Sequence, residues 1–164
     1  MAQLSKIAGI ILVLIVGLFV QMLFVFAGTK DTPTKAVVEF SKAYFQLDKS
    51  MAKRICDERL ASEEVDIVDQ HIHDVSEEAK ERGFDITFMQ RKLYHIEVDT
   101  INKTDNNAQI RITGKTRVAI NPVYPIVAKS FGLGETHEVD ETIHVIKEQG
   151  KWKVCGNLFD LPAI

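Results

Sequence analysis

Two cysteines and five histidines are the residues of this chain whose types could carry chemistry. Cys56 and Cys155 lie far apart in sequence, and on an oxidising side of a membrane such a pair can close as a disulfide that restrains the unfolded chain. Against closure, Cys155 alternates with the inward-facing Trp152 and Val154, so its side chain is expected on the other face of its strand. The residues therefore leave both a staple and two separate thiols open. Neither cysteine has a histidine beside it to favour a nucleophilic thiolate.

His71 and His73 form a His-x-His, which on a strand would be a metal pair. They fall in a helical stretch, where two positions are about 200° apart around the axis and the ligands diverge, so no metal site is expected. His95 and His144 fall on outward faces of strands and His137 near a strand start.

Stepping outward from these residues, Ile7 to Ala27 reads IAGIILVLIVGLFVQMLFVFA, uncharged throughout and with one amide, Gln21. A helix of that length spans roughly 30 Å. The expectation is a single-pass transmembrane anchor over residues 1–28 and a folded domain over residues 29–164. Val25 and Ala27 also offer the small residues that a signal peptidase requires, so cleavage after Ala27 stays open. Lys6 is the only charged residue before Lys30; every acidic residue and every other basic one lies beyond it, and the formal net charge is −3. No basic block is present, which argues against a nucleic-acid partner. The anchor implies the cytoplasmic membrane, with the domain on the periplasmic or extracellular side.

Beyond a short joint, Thr32 reads as an N-cap with Pro33 at the first helical position. Val37, Phe40, Ser41 and Tyr44 follow a period of 3.6. Asp48 reads as a second cap, before a helix burying Met51, Ile55, Cys56 and Leu60. A third helix follows Ser62, with Val65, Val68, Ile72, Val75 and Ala79 on one face and Gly83 as its stop. From Leu93 the period becomes two. Tyr94, Ile96, Val98 and Thr100 share one side of a first strand, and Ile110, Ile112, Val118 and Ile120 one side of a second. Val139, Ile143 and Val145 line a third, and the turn Gln149-Gly150 leads to a fourth with Trp152 and Val154. Outward charges alternate in sign between the strands, Glu97 and Asp99, then Arg111, Lys115 and Arg117, then Glu138 and Asp140, which fits the spatial order first, second, third. Helices followed by an antiparallel meander make an α+β class. The connection 121–134 is long and apolar, and Tyr124, Ile126 and Phe131 are its candidate partner contacts.

The segments TPTKAVVEFSKAYFQLD, KSMAKRICDERL and GKWKVCG, with Trp152 and Val154 in the last, resemble the nuclear-transport-factor-two-like (cystatin-like cone) superfamily, and its membrane-attached bacterial members in particular. The resemblance covers about residues 32 to 158. It implies three helices packed on a bent antiparallel sheet, with a cone-shaped cavity between them. Enzymes of that superfamily carry acid and base groups inside the cone. The inward positions here, Ile96, Val98, Ile110, Ile112, Val118, Val139, Ile143 and Val145, are all apolar, so no catalytic residue and no cofactor is expected. The resulting expectation is a non-enzymatic interaction or assembly subunit of a bacterial envelope complex, with protein partners and with homo-oligomerisation open. The alternative is a small apolar or lipid-like ligand held in the cone by Phe40, Tyr44 and Trp152.

Overall fold

Helix α1 covers residues 11–22 in the computed structural model, which describes residues 11–22, 30–61, 66–83, 85–118, 136–156 and 159. Among the described residues no helix is long and apolar enough to cross a membrane. This corrects the expectation of a transmembrane helix over Ile7 to Ala27. Large apolar side chains of the described helix, such as Leu12 and Phe19, are exposed. The remainder of the stretch lies outside the described residues. The chain divides into two units, Met1–Asp31 and Thr32–Ile164, and the second is α+β.

Helix α2, Pro33–Phe45, starts as its sequence indicates. The Thr32 hydroxyl accepts the Lys35 N–H at 3.1 Å, and Pro33 gives up an N–H that the first turn could not have paired. Ala36, Val37, Phe40, Ala43 and Tyr44 form its buried stripe. The helix ends in a Schellman motif, with the Asp48 N–H on the Ala43 carbonyl at 2.9 Å and the Leu47 N–H on the Tyr44 carbonyl at 3.0 Å. Leu47 holds the left-handed position with φ of 54°, where glycine is the usual occupant.

The expected second helix is broken in two. Asp48 caps a 3-10 segment, Lys49–Arg54, through the Ser50 N–H at 2.8 Å. Ile55 then pairs as an isolated parallel bridge with Val154, and α3, Asp57–Ala61, resumes as a single short turn. The third helix, α4, Ile67–Glu81, is capped by Asp66 rather than Ser62 and ends before Gly83 at φ of 76°. Val68 and Ala79 are buried on it; Val65 lies outside the described residues.

Four antiparallel strands follow in the order β1-β2-β3-β4: β1 Arg91–Lys103, β2 Asn107–Val118, β3 Thr136–Glu148 and β4 Lys151–Cys155. The β3–β4 hairpin turns on Gln149 and Gly150, with φ of 49° and 82°, the pair of left-handed residues that a two-residue turn of this hand requires. α2 packs on all four strands. Between them lie Phe40, Ile110, Ile112, Ile143, Val145 and Val154, each at most 1% exposed. Burying one such aromatic contributes about 2 to 3 kcal/mol.

The expected alternation in β1 fails at its start. Register shifts occur between Tyr94 and Glu97 and between Thr100 and Asn102. At the first, His95 takes φ of 49°, and Tyr94 comes to lie opposite Lys115, its hydroxyl 3.2 Å from Thr136 Oγ1 on the polar face of the sheet. Gly114 accommodates the shift: a Cβ there would sit 3.2 Å from Leu93 Cδ1 and 3.3 Å from the Tyr94 carbonyl oxygen. On the same polar face Arg111 donates to both carboxylate oxygens of Asp140, at 2.7 and 2.5 Å, and Lys115 lies 3.7 Å from Glu138. The charge alternation thus does follow the strand order.

Candidate functional site

Two local constructions stand out in the Thr32–Ile164 unit, a clasp on the edge of β4 and a cleft at the end of α2. In the clasp, Cys56 and Cys155 are joined by a disulfide, with Cα atoms 5.4 Å apart. Cys155 does point to the face opposite Trp152 and Val154. Cys56, however, is not on a helix: it follows the Ile55 bridge in extended backbone, and its N–H donates to the Val154 carbonyl at 2.9 Å. The segment runs alongside the sheet edge, so its sulfur reaches Cys155 around that edge.

Charges reinforce the same junction. Lys153 Nζ contacts Asp57 Oδ1 and lies 3.0 Å from Glu148 Oε2, which also accepts the Asp57 N–H at 3.1 Å. The Lys153 side chain is only 15% exposed. The hydrogen bond from Lys153 holds the Asp57 carboxyl below its ordinary value. Burial pulls Lys153 down, but hydrogen bonds to Asp57 and Glu148 outweigh it and leave the ammonium raised. Arg54 completes the join by donating to Glu39 at 2.7 Å and to the Trp152 carbonyl at 3.1 Å.

The cleft holds about 170 Å³ and opens between the end of α2, the middle of α4 and the start of β1. Its apolar wall is Tyr44, Phe45 and Leu47 on one side and Val75 and Met89 on the other. Tyr44 stacks with two rings, the His71 imidazole at 4.8 Å and the Phe159 ring at 4.7 Å. Polar groups come from His71, Glu78 and Arg91. Glu78 is taken up by Arg82 one turn along α4, at 2.5 Å.

Of the expected ligand residues, Phe40 and Trp152 are buried in the core, Trp152 carrying Lys147 Nζ 5.8 Å from its ring centre. Tyr44 lines the cleft. Tyr124, Ile126 and Phe131 lie outside the described residues, as does the inward side chain of Val118. His71 is partly buried and His73 exposed, so the helix separates them; His95, His137 and His144 are exposed. No group of three His, Cys, Asp or Glu gathers as a metal cradle among the described residues.

Reading the sequence for inward polar residues on strands missed His71, Glu78 and Arg91, which sit on a helix and at a strand start. The signal present was Tyr44, an aromatic with a polar tip at the last turn of an otherwise apolar stripe. Compared with protein-family models, curated proteins and solved structures, the chain matches none of them.

Proposed function

We propose that the unit beginning at Thr32 is a non-enzymatic interaction or assembly module of a bacterial envelope complex, working in an oxidising compartment outside the cytoplasm. The observation that supports this reading is the asymmetry of the sheet. The β4 edge carries the bridging residue Ile55, the Cys56–Cys155 disulfide and the Lys153 ion pairs. Along the outer edge of β1, over 13 residues, no strand pairs among the described residues. A free edge is a template for another chain. The two register shifts divide β1 into short regular stretches, Arg91 to Tyr94 and Glu97 to Thr100, which favours a specific partner over indiscriminate strand addition. Ile101, at 55% exposed, sits beside the second stretch. Tyr124, Ile126 and Phe131 join it in this reading as partner contacts. The resemblance to the cone superfamily is part of the same proposal, since inner-membrane assembly factors of type IV secretion pair such a domain with an envelope role.

The test is photo-crosslinking in cells, with the reactive residue placed in turn at Ile101, Ile126 and Arg111. The expected result is one discrete adduct shared by the first two positions and absent from Arg111, which is ion-paired on the polar face. An adduct of twice the chain's mass would identify the partner as a second copy. No adduct from either position, or an equal adduct from Arg111, would overturn the proposal.

A further inference from the structure

The cleft beside Tyr44 is not needed by an interaction module, and its chemistry points elsewhere. We infer that it is a binding site for a small one-ring carboxylate, a claim independent of the proposed interaction role. Size sets the first limit. A cavity of about 150 Å³ lined by apolar side chains holds benzene, and this one offers about 170 Å³. There is room for a single ring and a short polar group.

Wall chemistry sets the second limit. The Tyr44 ring is held by stacking with His71 and Phe159, so it loses little freedom on binding. Phe45 meets Tyr44 edge to face at 5.3 Å, and Val75 and Met89 supply the opposite, deformable side. Leu47 contributes its side chain from a left-handed backbone position, φ of 54°, where a glycine would have been unstrained but would leave the wall open.

Charge decides the ligand's polar end. Glu78 is the one acid on the lining, and its charge is balanced by Arg82. Arg91, also on the lining, makes no ion pair among the described residues. The cleft therefore carries an excess of positive charge with an uncommitted guanidinium, whose planar fork matches a carboxylate with two parallel hydrogen bonds. A ring against Tyr44 and Phe45 with its carboxylate turned toward Arg91 uses both halves of the site.

The experiment is a titration of the whole isotope-labelled chain with benzoate, followed by backbone amide shifts, with benzyl alcohol as the neutral probe of matched size. Benzoate is expected to bind with a dissociation constant in the roughly millimolar range, the scale for a ligand of so few atoms. The shifts should be confined to residues around Tyr44–Leu47, His71–Glu78 and Met89–Arg91, and benzyl alcohol should bind at least tenfold more weakly. Arg91→Gln should weaken benzoate about 10- to 100-fold, and Arg91→Lys by a smaller factor, because it keeps the charge and loses the fork. Arg117→Gln on β2, outside the cleft, should leave binding unchanged. No shift at the cleft, equal binding of the alcohol, or unaltered affinity in Arg91→Gln with an intact spectrum would each overturn the inference.

Discussion

Reducing the Cys56–Cys155 bond should cost this domain a large part of its stability. The bond closes a loop of 99 residues. In the chain-entropy treatment, a closed loop of about 100 residues lowers the entropy of the unfolded chain enough to contribute about 4.7 kcal/mol at 25 °C. Native domains have only about 5 to 15 kcal/mol in total. Reduction is a cleaner perturbation than substitution, because both sulfurs remain where Cys56 is 0% and Cys155 9% exposed, and no cavity is created. The Cys56 N–H to Val154 hydrogen bond and the Asp57–Lys153 pair stay available to hold the edge. The loss should therefore come mainly from the unfolded state, at about 3 to 5 kcal/mol. The assay is urea unfolding with and without reductant, followed by Trp152 fluorescence and far-ultraviolet circular dichroism. With an m-value of about 1.5 kcal/mol/M the midpoint should fall by about 2 to 3 M on reduction. Oxidised and reduced curves that coincide within about 0.5 kcal/mol would refute the reasoning.

Two further outcomes follow from the clasp and the hairpin. Asp57 is held below its ordinary 3.8, so its contribution is present above that value and is lost as pH falls through the lowered one; Lys153 is raised above 10.5, so its contribution is present below that value and is lost at higher pH. Asp57→Asn should thus lower Tm at neutral pH and converge on the parent protein at both the acid and the alkaline end, and a constant difference across pH would contradict this assignment. At the β3–β4 turn, Gln149→Asn should stabilise by a few tenths to about 1 kcal/mol, since Asn adopts the left-handed conformation more readily, and Gln149→Val should destabilise by about 1 kcal/mol or more. Chemical denaturation of the two variants reads both, and the opposite order would count against the turn type.

Features that depend on a few neighbouring residues were legible. Thr32 and Pro33 announce the start of α2 because capping is satisfied within one turn, and Asp48 caps the segment it was expected to cap. The β3–β4 turn was readable because Gln149-Gly150 interrupts two alternating runs. The break at Ile55–Cys56 was not readable, since a helical apolar period runs unbroken through Met51, Ile55 and Leu60; the edge of β4, nearly a hundred residues on, makes the extended form preferable there. The reversal of Tyr94 is of the same kind: it rests on a bulge at His95 and the space left by Gly114.

By itself, then, the chain determined its class, its strand order and the caps of its main helices, because periodicity, capping and cross-strand charge act between residues close in sequence or in register. Only the tertiary structure decided that Cys56 and Cys155 meet and that Tyr44, His71 and Arg91 share a cleft. Those residues come from elements separated by tens of positions. Their juxtaposition is set by how α2 and α4 settle against the start of β1 and how one extended segment passes the sheet edge, and no local pattern encodes either.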